Sequence, residues 1–478
     1  MGSLLSILSP RSAIVGCLLL YVLSKQLRAK RSNLLPSPNG LPLIGHLHLM
    51  PPIRAWLWFD ELSKKFNSPL IYLNLAGQDL IVINDYQTAV ELMDKRSATY
   101  SSRPDLVVAG RYASTSKRLL FLPYGKQWRQ QCTAFHHDMT PNKIITYLPI
   151  QIAETKLLMG GLLQTPERFM AHLRQYSANV ILKITYGLDS EGGNQKVITQ
   201  IYDVMERLLA SANPGDNLVD LLPSLDHLPD FLAPWRAAAL HQQKVTQSCF
   251  MGLLNEVKEK ISHGELAHNG VFAAQLLQDK DRFQMDDLDV AYLAGLMFEA
   301  GTGKTAAALC TFILAAIAYP EVFKTAQAEV DRVCGDHWPT MDDFYHLEYT
   351  FQWRTVTTGG VPHMSSATED DFFNGYRIPA GATILANYWG ICFREKMYRQ
   401  KYNAQLFEPH RWIEICPGKL LTVNSLFLVL SHLCYAFDIK VKEGVVVDTQ
   451  AYTTGFDIEP EPFECSITPR AWRTQEIE

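Results

Sequence analysis

The spacing of apolar residues divides the chain into an apolar leader, a short alternating stretch and a long helical body. Leu4 to Leu23 is mostly apolar, and Ser12 to Leu23 carries no charge. A membrane span needs about 20 apolar residues, and this run meets that with Pro10 and Arg11 near an interface. Lys25, Arg28, Lys30 and Arg31 follow directly. Positive charge on that side of an apolar segment keeps the chain behind it in the cytosol. A cleaved leader would carry its charge ahead of its apolar core. Residues 1–32 are therefore expected to form a single-pass membrane anchor with a basic flank, and residues 33–478 a single cytosolic domain. Pro36-Ser37-Pro38-Asn39-Gly40-Leu41-Pro42 reads as a stiff elbow between them, because proline fixes the backbone and removes donors.

Alternation in Leu70 to Leu73 and Leu80 to Ile83 predicts a small sheet within Pro69 to Asn84. From Tyr86 onward the apolar period is helical. Helices are predicted over Gln87–Arg96, Tyr124–Asp138, Asn142–Thr165, Glu167–Tyr186, Asn194–Ala212, Pro234–His263, Val271–Leu277, Asp286–Tyr319 and Pro320–Cys334. A second β-rich region is predicted from Gly375 to Ile391, and the apolar run Leu420 to Leu433 reads as a further helix. The expected fold class is mainly α with a minor β-sheet.

Composition narrows the function. The chain has 478 residues, 47% of them hydrophobic, which suffices for a large core. A net charge of −5, with no long basic run in the body, argues against a nucleic-acid partner. The nine cysteines are an odd number and form no Cys-x-x-Cys pair. That argues against a disulfide scaffold or a zinc site and suits a reducing compartment.

Two stretches carry candidate chemistry. Cys416 sits on the turn Cys416-Pro417-Gly418-Lys419, with a predicted helix directly behind it. A helix N-terminus offers free N–H groups and partial positive charge, which favour a thiolate, the form that binds iron. Taken alone, a free cysteine is more often a small buried hydrophobe. The second stretch is Glu299-Ala300-Gly301-Thr302-Gly303-Lys304-Thr305, in the middle of the most apolar helix of the body. A phosphate-binding loop would need a glycine where Phe298 stands and a strand before it, whereas Tyr292 to Met297 reads as helix. The alternative is a buried helix thinned by glycines, which admits either a flat cofactor or a closely packed neighbouring helix.

The order of motifs resembles the cytochrome P-450 superfamily of haem-thiolate monooxygenases, microsomal type and most like fungal members. Pro36 to Gly45 looks like its proline-rich hinge, and Tyr124-Gly125-Lys126-Gln127-Trp128-Arg129 like the helix that contacts a haem propionate. Ala300 to Thr305 stands where the family has its oxygen-activating helix. Trp353 to Val356 with Gly360-Val361-Pro362-His363, Gly375 to Gly381, Phe407 to Trp412 and Cys416-Pro417-Gly418 follow in the family's order. The resemblance implies the P-450 fold, with Cys416 as axial thiolate and metal ligand. Trp128, Arg129, Gly301 and His363 would be cofactor-binding residues, with Lys304 and Thr305 at the catalytic positions. It further implies electrons from NADPH through a membrane-bound reductase and a lipophilic small-molecule substrate. The setting would be the endoplasmic reticulum membrane and fungal secondary metabolism.

The chain also departs from that pattern. Only Ile413-Glu414-Ile415 separates Trp412 from Cys416, where the family has a glycine-rich bulge with a basic residue. Tyr349 to Gln352 runs straight into Trp353, without the family's Glu-x-x-Arg pair. Cys132 stands where a basic residue is usual, and Gly303 and Lys304 replace the acid and the proton-relay threonine. The alternative function is a catalytically silent, haem-poor relative that acts as a binding or scaffold protein.

Overall fold

The computed structural model describes residues 35–188, 195–212, 217–267, 270–352, 364–392, 419–449, 451–453 and 458–471. The described residues gather into two compact units.

The unit made from the described residues of 35–104, 221–223 and 364–392 holds most of the described strands. Helix α1 (Ala55–Lys65) is followed by β1 (Leu70–Leu75) and β2 (Gln78–Ile83), paired antiparallel with Leu70 opposite Ile83. After β3 (Met364–Ser366) come β4 (Asp371–Phe373), β5 (Tyr376–Ile378) and β6 (Thr383–Ala386). One sheet runs β1-β2-β6-β3, with β2 and β6 parallel. The alternation read from the sequence buries both faces. Phe59 and Leu62 of α1 cover Ile71, Leu73 and Val82, while Leu70, Ile81 and Ile83 pack with Tyr100 and Ile384 on the other side. The β4–β5 hairpin turns through Asn374 and Gly375, both at positive φ. Asp371 ties it down by accepting from Arg96 and from the Tyr100 hydroxyl, each at 2.8 Å. The predicted second β region ends early: Tyr388–Cys392 is a helix. Asn387 opens that helix, its side-chain oxygen accepting from the Gly390 N–H at 3.3 Å.

The helical unit is built around one long rod. Its elements include α2 (Lys126–Asp138), α3 (Leu148–Gln164), α4 (Phe169–Tyr186), α5 (Gln195–Ala212) and α6 (Pro234–Ser262). They continue with α7 (Phe272–Asp279), α8 (Asp287–Ala318), α9 (Pro320–Cys334) and α10 (Lys419–Ala436). A two-stranded ribbon, β7 (Phe437–Val441) with β8 (Cys465–Pro469), closes the unit and was not anticipated from the sequence.

The rod is α8. Asp286 caps it, accepting from the Asp289 N–H at 2.7 Å, while Asp289 accepts from the Asp286 N–H at 3.1 Å. Both acids complement the helix dipole, and Lys117 reaches them at 2.8 and 2.9 Å. Lys258 and Lys280 hold the carboxyl of Asp287 below the usual carboxylate range. By length and hydropathy α8 could cross a membrane, yet 78% of its apolar window is buried in the protein, so it is a core helix. It also removes the phosphate-loop reading, because Gly301 to Thr305 lie inside an unbroken helix.

Two glycines let α8 come close to its neighbours. A Cβ on Gly295 would fall 2.5 Å from the ring of Phe250 on α6. Phe250 is fully buried and cannot yield. Gly295→Ala is therefore expected to cost about 1–3 kcal/mol by overpacking, more than the ~1 kcal/mol that alanine gains in helix propensity. A thermal midpoint at or above that of the natural chain would contradict this packing.

Candidate active site

The central helix is buried along most of its length, with one open stretch. Glu299 and Gly301 are half-buried as residues and Phe298, Thr302 and Thr305 are buried, while the open stretch has Ala300 and Lys304 exposed and Leu296 and Gly303 half-buried. These positions are three and four residues apart and so share one face. They form a window about two turns long, floored at Ala300 and Gly303 by the smallest side chains available. The turns behind it are fixed from the opposite face. Ser177 of α4 donates to the Thr302 carbonyl at 2.8 Å. Thr302 and Thr305 donate to the carbonyls of Phe298 and Gly301, each at 2.8 Å. Such bonds to the preceding turn commonly bend a helix.

The residues singled out from the sequence that are described lie on α2 and α8. Lys304 lies on its open side, while Thr305 is buried with its hydroxyl committed to Gly301. The sequence leaves open whether the glycines admit a cofactor or a helix. For Gly301 the structure shows a helix contact, since a Cβ there would fall 2.7 Å from Ile181 Cδ1 on α4. The bare surface is provided by Ala300 and Gly303. Trp128 is half-buried on α2, its ring 5.2 Å from that of Tyr124, and exposed Arg129 lays its guanidinium 5.5 Å from the Tyr124 ring centre. Cys416 and His363 lie outside the described residues.

The helix behind Cys416 is described and is held from the side. Gln151 of α3, fully buried, donates to the Leu421 carbonyl at 2.9 Å and to the Ser425 hydroxyl at 2.6 Å. The predicted run Leu420 to Leu433 thus lies within a helix whose opening turns are locked by an amide from a distant element.

One feature of the site had no signal in the sequence. Arg118 and Glu299 form a buried ion pair, Nη2 to Oε1 at 2.9 Å, with side chains 1% and 6% exposed. Arg118 lies against the rings of Phe250 and Tyr292, 5.9 and 5.6 Å from their centres. Burial pushes the Glu299 carboxyl above its ordinary value, against the pull of Arg118. Burial likewise pushes the nearby Cys249 thiol up to about 11, with Glu299 adding to the shift.

The described residues fit a haem: small residues floor an opening on the central helix, and an indole N–H and a guanidinium suit propionate carboxylates. Comparison with known proteins agrees. The cytochrome P450 family model matches residues 35–415. A cytochrome P450 monooxygenase of Armillaria gallica is 33% identical over 496 positions, covering 96% of this chain and 94% of the relative. Another, claR of Ampulloclitocybe clavipes, is 29% identical, covering 97% and 91%. Among solved structures, a zebra fish cytochrome P450 with abiraterone superposes at a TM-score of 0.68 and 20% identity, over 88% of this chain and all of that one.

The family model and the fungal relatives define a haem-thiolate oxygenase. The chain belongs to the cytochrome P450 family, whose monooxygenases carry a haem-thiolate centre and draw NADPH electrons through a redox partner. The 496 positions compared with the Armillaria relative exceed the 478 residues here, so that relative holds residues with no counterpart in this chain.

Proposed function

We propose that this monooxygenase oxidises a lipophilic small molecule in fungal secondary metabolism, at a haem held between Cys416 and the window of α8. The observation that carries the reading is the window itself, an opening floored by Ala300 and Gly303 in an otherwise buried helix. Cys416 would supply the thiolate that holds the iron. Trp128, Arg129 and His363 would take the propionates. When bound, the haem activates dioxygen, so that one oxygen atom enters a carbon–hydrogen bond and the other leaves as water. Lys304 would stand over the reacting centre on the open side, with Thr305 and Gly301 fixing the turn behind it. The fungal relatives support the setting.

Residues 1–32 would anchor the chain once in the endoplasmic reticulum membrane, leaving residues 33–478 to work as one cytosolic domain beside a membrane-bound NADPH reductase. The basic flank of the apolar run supports that orientation. A second reading, a silent haem-poor relative, is favoured by one observation: the open face carries a lysine where the family has its relay threonine. Titrating haem into the purified chain separates the two. Ala300→Phe should fill the window and weaken haem uptake by at least about tenfold, or 1.4 kcal/mol, with little change in thermal midpoint because Ala300 is exposed. Unchanged uptake by that variant would refute the placement.

A further inference from the structure

Three metal-binding side chains of three different kinds meet at the end of α9. One donor atom from each of Cys334, His337 and Asp343 lies within 4.8 Å of the other two. No Cys-x-x-Cys pair announces the cluster, because its members are one thiol, one imidazole and one carboxyl. The backbone assembles them locally. Cys334 is the last residue of α9, and Gly335 turns the chain there at a φ of 54°. The His337 N–H then donates to the Cys334 carbonyl at 3.0 Å, which brings the imidazole back beside the thiol. Asp343 arrives from the short turn Met341–Asp343.

The cluster is supported from behind. Asp343 Oδ2 accepts from the Thr340 N–H at 2.8 Å and from the Thr340 hydroxyl at 3.0 Å. His337 Nδ1 lies 3.0 Å from the Trp338 carbonyl. The Trp338 ring packs on His432 and Tyr435 of α10, with 5.1 and 4.9 Å between ring centres. Hydrogen bonds to the ligands from a surrounding shell of this kind orient them in metal sites. Burial also calls for a cation. Cys334 is 2% exposed and Asp343 9%. Among the described residues the one basic group within ion-pair reach of Asp343 is His337, 3.9 Å from its Oδ2. A carboxylate taken out of water with so little positive charge beside it is costly. The His337 side chain, 58% exposed, leaves that flank open to solvent and to an entering ion.

We propose that Cys334, His337 and Asp343 bind one zinc ion, with a water from the open flank as fourth ligand. Zinc accepts sulfur, nitrogen and oxygen together, four ligands at about 2.0–2.3 Å, whereas a thiol and an imidazole disfavour magnesium and calcium. The Cys334 proton leaves to solvent on binding. Thiolate and carboxylate then balance the two charges of the ion. The ion clamps the end of α9 to the segment that carries Trp338 and Phe344, and Phe344 in turn lies 5.0 Å from Phe427 of α10. The site is separate from the α8 window and does not depend on haem.

The test is zinc titration of the purified full chain against a chromophoric chelator, with zinc-edge X-ray absorption on the same samples. The natural chain should take up zinc with one sulfur at about 2.3 Å. Cys334→Ala should lose that sulfur. His337→Ala should weaken zinc binding at least about tenfold, or 1.4 kcal/mol. Its thermal midpoint in excess chelator should match that of the natural chain, because the side chain removed is exposed. Zinc should raise the midpoint of the natural chain and leave that of His337→Ala nearly unmoved. His346→Ala, which removes an exposed histidine outside the cluster, should bind zinc as the natural chain does. No zinc uptake, a zinc shell without sulfur, a sulfur that survives Cys334→Ala, or unchanged affinity in His337→Ala would each overturn the site.

Discussion

Glu299→Leu is expected to cost the fold about 3–5 kcal/mol, the range for leaving a buried charge without its partner. Arg118, 1% exposed, cannot shed its charge to escape. Arg118→Met should cost less, and by an amount that depends on pH. The carboxyl left behind can neutralise itself, as its upward shift already indicates. The sign follows from linkage. A carboxyl whose folded value lies above its unfolded value contributes stability that is present at low pH and lost as pH rises through the folded value. The Arg118→Met deficit should therefore grow with pH, while the Glu299→Leu deficit should shrink, because only the natural chain carries the raised carboxyl. Replacing both residues together should restore most of the loss. Denaturation of the single and double variants at two pH values checks this, and additive losses in the double variant would show that the two groups are not coupled.

The second large effect concerns the sulfur. Cys416→Ala should abolish the thiolate-type absorbance of the reduced, carbonyl-bound chain completely, because no other group in Ile415 to Lys419 can serve as a soft anionic ligand. The thermal midpoint of the haem-free chain should stay close to that of the natural one. The described cysteines, Cys132, Cys249, Cys310, Cys334, Cys434 and Cys465, are free thiols. Burial raises Cys310, Cys434 and Cys465 far above the range in which a thiol ionises, so they are poor substitutes. Retention of the carbonyl signature in Cys416→Ala would move the ligand elsewhere.

The architecture of the helical unit was legible because its signals are local. Asp286 and Asp289 announce the start of α8, and an unbroken apolar run carries it to Ala318, within one residue of the predicted Asp286–Tyr319. Pro320–Cys334 was read with its observed bounds, since proline at the first position and Gly335 after the last are strong punctuation. Asn142–Thr165 was read as one helix. The chain instead breaks at Tyr147 between Pro141–Thr146 and α3, with Pro149 in the first turn of the new helix. The β7–β8 ribbon escaped because Phe437 pairs with Pro469, far along the chain, and Phe437 to Val441 is too short to stand out behind a helix.

The site was half legible for a related reason. Cys416 and the glycines of α8 are visible as residue types, and the family order gives them meaning. Which side of α8 is open is a tertiary fact. Gly301 and Gly303 look alike in the sequence, yet the first meets Ile181 and the second lies at the opening. Arg118 was invisible: in Lys117-Arg118-Leu119 a charge reads as solvated surface, and only the aromatic walls of Phe250 and Tyr292 reveal a buried cation.

The most direct test is the haem content and reduced carbonyl spectrum of the unaltered full chain, purified after expression with haem supplied. A haem-thiolate site built on Cys416 and the α8 window predicts one haem per chain and the thiolate-type band. A folded chain that takes up no haem, or binds it without that band, would contradict the account.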